Sequence, residues 1–146
     1  MTTPTTSVDQ QLVLTIADAC DCLLGRIDSA LGHIKGITFA EYRLLRGIAD
    51  SSNARASRVE LAEIVRLSSA GVTRALQPLE KLGFVETHRA ERDARRAIAS
   101  LTPEGEELLR DACGVVDETA SSLLEAAPAV NESRETLVAL LRELTT

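Results

Sequence analysis

Apolar residues return every three or four positions along the first part of the chain. Leu12, Ile16, Cys20, Leu23, Ile27, Leu31 and Ile34 form one stripe, the spacing of a long amphipathic helix. Ser7 and Gln10 stand in capping-box register before it, and Gly36 lies just past its end. The same register recurs at Thr38 and Glu41, ahead of "FAEYRLLRGIAD", and at Ser57 and Glu60, ahead of "RVELAEIVRL". Each such pair satisfies two otherwise orphaned amides, so three helix starts are marked. Between the second and third helices, "SSNARA" reads as a polar loop.

The segment "SSAGVTRALQPLEKLGF" follows after a very short connection. Ser68 or Ser69 caps a helix whose buried side is Val72, Leu76, Leu79 and Leu82, and Gly83 stops it. Helix, three- to four-residue turn, helix is the helix-turn-helix unit. Pro78 inside the second helix predicts a local bend past its first turn. Beyond Gly83 the period shortens. "FVETHR" and "RAIASL", joined by the polar "AERDA", predict a β-hairpin. Thr102 and Pro103 open a further helix as cap and first residue, apolar from Leu108 through Val116 to Leu124. Pro128 ends it, and Asn131 opens a last helix carrying Leu137, Leu140, Leu141 and Leu144. The fold class is therefore mainly α with a small β wing, a winged helix-turn-helix flanked by N- and C-terminal helices.

Composition adds three constraints. Phe39, Tyr42 and Phe84 are the whole aromatic complement, so the core must be built from Leu, Ile, Val and Ala. The opening "MTTPTTSVDQQ" has no basic residue or apolar run, and Asp18 and Asp21 interrupt the most apolar stretch. A cytoplasmic protein without a membrane span is expected. Cys20, Cys22 and Cys113 form no disulfide framework and no zinc spacing. Cys20 and Cys22 fall about 200° apart around one helix, and buried free thiols are the simplest reading.

Charge is the most informative constraint. The chain totals −6, yet residues 55–96 carry nine basic and six acidic side chains. The four arginines of "HRAERDARR", residues 88–96, fall on the tip and flanks of the expected hairpin. A basic middle between acidic ends marks a local anion-binding surface.

A helix-turn-helix places the start of its second helix in the major groove of DNA. Here that end is "SSAGVTR". Ser68, Ser69 and Thr73 have hydroxyls for phosphate or base edges, Arg74 can reach guanine bidentately, and Gln77 is a candidate for adenine. Gly71 lets the backbone approach the duplex, or is simply a tolerated helix glycine. Ser57 and Arg58, at the start of the preceding helix, complete the candidate face. Arg89, Arg92, Arg95 and Arg96 suit the minor groove, and Asp93 is placed to hold Arg95.

Residues 38–109 resemble the winged helix-turn-helix of the MarR family (multiple-antibiotic-resistance regulators). The resemblance rests on "ELAE", "VTR", "LEKLGFV", and above all on Asp93-Ala94-Arg95 followed by Leu101-Thr102-Pro103-Glu104-Gly105. It implies a homodimeric regulator that binds double-stranded DNA at an inverted repeat, with Arg95 in the minor groove and Asp93 organising it. Residues 1–37 would be an N-terminal dimerisation helix, 38–101 the DNA-binding region and 102–146 the C-terminal dimerisation helices. Thr87 departs from the family, which often has a basic residue there, so one phosphate contact or wing salt bridge is expected to be missing. The terminal helices also carry more apolar surface than a three-helix core with a hairpin can cover, which a two-fold dimer would bury.

The resemblance further implies a small aromatic or phenolic acid as signal, for which His33, Tyr42, Arg43 and Arg46 are the candidate contacts. Two other readings compete. One is redox sensing through Cys20 and Cys22, disfavoured by the acidic neighbours Asp18 and Asp21. The other is a protein-interaction adaptor, which has no need of four arginines on one tip. No catalytic residue, metal site or cofactor is expected, because His33 and His88 have no partner arrangement and no glycine-rich phosphate loop is present.

Overall fold

The computed structural model describes residues 6–90 and 93–145 and, at 89–90 and 93–96, the backbone alone. Helix α1 spans Val8–Lys35 and closes on Gly36 at φ 69°, where the glycine amide donates to Gly32 and Leu31. Helix α2 spans Phe39–Asp50 and starts on a complete Thr38–Glu41 capping box. The Asp28 carboxylate on α1 also accepts the Phe39 amide at 2.7 Å, which fixes the corner between the two helices.

A 3₁₀ turn, Ser52–Ala54, leads into strand β1, Arg55–Ser57. This corrects the reading of "SSNARA" as a loop. Ala56 lies opposite Ala99 of a later strand and is buried because of that pairing. Three residues are too few to show an alternating pattern, so only the partner strand makes them legible.

Helix α3, Arg58–Val65, starts on the Ser57–Glu60 box and ends at Arg66, which sits at φ 54°. Helix α4, Ser69–Lys81, runs through Pro78 without interruption. Its buried side is Val72, Leu76 and Leu79, whereas Leu82, expected with them, is 66% exposed. Leu82 is the capping residue and Gly83 follows at φ 79°, so the chain has left helical register before the side chain can turn inward.

Strands β2, Val85–Ala90, and β3, Asp93–Leu101, form the hairpin, and β1 joins the far side of β3 to give the antiparallel order β1-β3-β2. The ladder is regular from Val85↔Leu101 to Arg89↔Ala97, then shifts so that Ala90 faces Asp93. The irregularity falls beside the arginine-rich end of the hairpin.

Helix α5, Pro103–Glu125, rises from the sheet with Thr102 as cap and packs beside α1, where Lys35 and Asp111 form a 2.7 Å ion pair. Pro128 opens a short helix α6, Pro128–Glu132, and α7 begins at Arg134 and ends at Glu143. The last helix therefore starts after Ser133, not at Asn131, because a proline suits a first helical turn and nucleates its own.

The core is aliphatic, as the scarcity of aromatics requires. Leu31, Leu44, Leu45, Ile48, Leu61, Val72, Leu76, Leu79 and Val85 are fully buried around α2. Of the α1 stripe, Leu31 is buried, while Leu12 and Ile34 are about as exposed as any surface residue. Val138, Leu140, Leu141 and Leu144 of α7 are exposed too. Cys20 and Cys22 are also exposed, not buried as expected, because this part of α1 is left uncovered by the rest of the chain on both of the sides they occupy. Among the described residues, no helix is long and apolar enough to cross a membrane.

Candidate nucleic-acid interface

The turn between α3 and α4 is made by Arg66 in the left-handed region, after which the Leu67 amide bonds back to Ala62. Ser68 caps α4, its Oγ accepting the Gly71 amide at 3.0 Å. That bond uses a lone pair and leaves the hydroxyl proton free to donate. Thr73 differs: its Oγ1 already donates to the Ser69 carbonyl at 3.0 Å, so in this rotamer it can only accept. Arg74 and Gln77 are exposed on the side of α4 opposite its buried residues, and Ser69 is exposed in the first turn.

Gly71 has a packing reason that sequence did not supply. A Cβ there would stand 3.3 Å from Ser68 Oγ and 3.4 Å from Leu67 Cβ, so the turn is closed tightly over the first coil of α4. Ser57 is buried and its Oγ accepts the Glu60 amide, which makes it part of the α3 cap. Arg58 is half-buried, with Nε enclosed and without a hydrogen-bond partner among the described residues.

Thr87, where a basic residue was expected, donates its hydroxyl to the Glu80 carboxylate of α4. This bond ties α4 to the first strand of the hairpin. The β2 and β3 backbones carry Arg89, Asp93, Arg95 and Arg96 to the outer end of the hairpin. Their side chains, including the expected Asp93–Arg95 contact, lie outside the described residues, as does the whole of Arg92.

The base of the wing is held by "TPEG". Thr102 Oγ1 donates to the Gly83 carbonyl at 2.6 Å and accepts the Gly105 amide at 3.1 Å, while its own amide reaches the Phe84 carbonyl. A Cβ on Gly105 would lie 2.0 Å from that Phe84 oxygen. The glycine is thus where α5 touches the strand leading into the wing. The sequence marks Thr102 as cap and Pro103 as first residue, and both stand so; for Gly105 the signal was a glycine in the first turn of a well-capped helix.

Of the four ligand candidates, Tyr42 and Arg46 are in contact, while Arg43 and His33 bond elsewhere. Tyr42 is buried; its hydroxyl receives an N–H from Arg46 at 3.2 Å and lies 3.7 Å from Cys113 Sγ on α5. Burial raises the Tyr42 hydroxyl above the ordinary phenol pKa, partly offset by the Arg46 guanidinium. The folded chain therefore keeps this proton where the unfolded chain loses it. Stability should fall as pH rises through about 10 and above, and the denaturant midpoint of wild type relative to that of Tyr42→Phe should be lower at pH 10.5 than at pH 8. Arg43 turns instead to α3, donating to the Ile64 carbonyl at 3.0 Å. His33 Nδ1 is 2.7 Å from the Ser29 carbonyl of its own helix. No cluster of side chains able to hold a metal occurs among the described residues.

A capped two-helix unit with a tight turn, backed by a three-stranded sheet and flanked by long helices, defines a winged helix-turn-helix fold. A sequence model described as the MarR family matches residues 35–96. It is 33% identical over 88 residues to the HTH-type transcriptional regulator BilQ of Clostridium symbiosum (strain WAL-14163), a match spanning 60% of each protein. A MarR family transcriptional regulator of Streptomyces coelicolor, solved in complex with DNA, is 25% identical, with 98% of this chain and 90% of that one covered at a TM-score of 0.83. NadR, solved in complex with 4-hydroxyphenylacetate, is 28% identical, with 97% of each chain covered at a TM-score of 0.76.

Proposed function

We propose that the chain works as a homodimeric repressor that binds an inverted-repeat operator and releases it in response to a small aromatic acid. The observation that carries this reading is the exposed start and outer side of α4, with Ser68 and Ser69 exposed at its first turn and Arg74 and Gln77 on the side away from its buried residues. The start of that helix offers hydroxyl, guanidinium and amide groups, the donors that read base edges and phosphates. The DNA complex of the Streptomyces coelicolor relative supports the duplex as partner, and the NadR complex supports a phenolic acid as signal.

Dimerisation is supported by the exposed apolar positions of α1 and α7. Leu12, Val13, Leu23, Leu140 and Leu144 lie in the two end helices, away from the α2–α4 core. Two copies related by a two-fold axis would cover these faces and present two α4 helices to successive major grooves, about 10 base pairs apart. Leu12 is 59% exposed in the single chain. In a monomer Leu12→Glu is a surface change worth less than about 0.5 kcal/mol. In the dimer it puts an unpaired charge into the interface. Light scattering should show wild type at twice the chain mass and the variant at once; equal masses would count against this interface.

A salt titration tests the DNA reading. With several phosphate contacts per dimer, affinity for the operator should drop about 10³-fold or more between 50 and 200 mM salt. An adaptor that meets its partner through apolar contacts would show little change. The exposed Cys20 and Cys22 are open to oxidants; a cysteine-free variant whose DNA release by peroxide is lost would favour the redox reading over the ligand one.

A further inference from the structure

We infer that Thr87 and Glu80 are positioning residues for DNA, whose bond fixes the angle between the hairpin and α4 and so the spacing of the two groove contacts; this rests on the DNA-binding reading above. The bond runs from the Thr87 hydroxyl to the Glu80 carboxylate, and both side chains are half-buried.

The hairpin is anchored at its inner end and projects from there. Gly83, at φ 79°, joins α4 to β2, and the Phe84 amide donates back to the Leu79 carbonyl at 2.9 Å. Val85 is buried, and Phe84 and Leu101 pack against the core. On the face that Val85 turns inward, the next cross-strand pairs are Thr87 with Ala99 and Arg89 with Ala97. The β3 side of those pairs offers methyl groups, too small to hold a strand by buried area. Thr87 supplies a polar tie at the point where apolar packing thins out. Threonine is branched at Cβ and restricted at χ1, so its hydroxyl keeps the carboxylate on a short, stiff link.

The lever is long enough to matter. Val85 to Thr87 is about 7 Å of strand, and Val85 to Ala90 about 17 Å. A swing of about 1.4 Å at Thr87, the radius of a water molecule, therefore becomes about 3.4 Å at Ala90, the rise of one base pair. On the helix side, Thr73, Gln77 and Glu80 follow at steps of four and three and form one row along α4. The residue that holds the hairpin thus belongs to the same rigid rod as the groups offered to the major groove. With the bond made, the bases under α4 and the minor-groove step taken by the hairpin must stand at one separation. With it broken, neighbouring separations become acceptable.

The test is selection from a library of random DNA duplexes by the full-length wild type, Thr87→Val and Thr87→Ser, with the enriched sequences read out. Thr87→Val keeps the shape of the side chain and removes the donor; Thr87→Ser keeps the donor. Wild type and Thr87→Ser should enrich one separation between the half-site and its flanking A·T step. Thr87→Val should spread over separations about one base pair to either side and bind the wild-type consensus about tenfold more weakly. A loss of affinity with the separation still sharp would make the bond a purely structural one and overturn the inference, as would a Thr87→Ser protein as broad as Thr87→Val. If Thr87→Val loses its native circular dichroism, Glu80→Ala breaks the same bond from a helix position that favours alanine and decides by the same readout. A wild type that enriches no sequence would refute the proposed function and this inference with it; a wild type that enriches one separation no more sharply than Thr87→Val would refute the inference alone.

Discussion

Gly105→Ala is expected to destabilise the protein by about 3 kcal/mol or more, a drop of roughly 10 °C in melting temperature. The new methyl group would sit 2.0 Å from the Phe84 carbonyl oxygen and 2.9 Å from its carbon. Both are backbone atoms, so no rotamer change can relieve the overlap. The residues that would have to move are held in place. Thr102 Oγ1 links the Gly83 carbonyl to the Gly105 amide, and the Thr102 amide holds Phe84. Separating α5 from the strand breaks both bonds that cross to Gly83 and Phe84. The same movement shifts the wing relative to α4, so operator affinity should fall even at temperatures where the variant is folded. Thermal unfolding by circular dichroism checks the first effect, and operator binding at 10 °C the second. A variant with wild-type melting would show that α5 and the base of the wing do not approach as closely as described.

Arg74→Ala is the second large effect and leaves the fold alone. Arg74 is exposed on α4, and none of the buried residues of that helix depends on it. If it reads a guanine in each half-site, its loss costs about 1–3 kcal/mol per subunit. In a two-fold complex the two losses add, giving a drop of roughly 30-fold to 10⁴-fold in operator affinity. Binding to unrelated DNA should fall much less, because phosphate contacts are shared with many other groups. Unfolding midpoints should match wild type within about 0.5 kcal/mol. Equal losses on operator and unrelated DNA would make Arg74 a phosphate contact, not a base reader.

Much of the molecule was legible before folding because its signals are local. The capping boxes at Thr38 and Ser57 mark helix starts through bonds between residues three apart, and both form as expected. The alternation that gave the hairpin survives because β2 and β3 are neighbours in sequence. Strand β1 was missed for the opposite reason: its burial comes from β3, more than forty residues away in the chain. Leu82 was misplaced because helical period says nothing about where a glycine ends the helix. The thiols of α1 were assigned to a core that, within one chain, does not reach them.

The candidate interface divides in the same way. Arg74 and Gln77 could be placed on one side from spacing alone, since a helix fixes which side chains point together. That the Thr73 hydroxyl is already committed to Ser69, that Ser57 is buried in its cap, and that Thr87 reaches Glu80 are contacts between groups whose separation depends on rotamers and packing.

The amino-acid sequence by itself determined the helices, the turn between α3 and α4, the hairpin and the concentration of arginines at its end, because hydrophobic period, capping and charge act over a few residues. Only the tertiary structure decided which glycines are indispensable, which hydroxyls remain free and where Arg43 and Arg46 point. Those properties arise where distant segments come within a few ångströms of each other, and no short-range pattern records that approach.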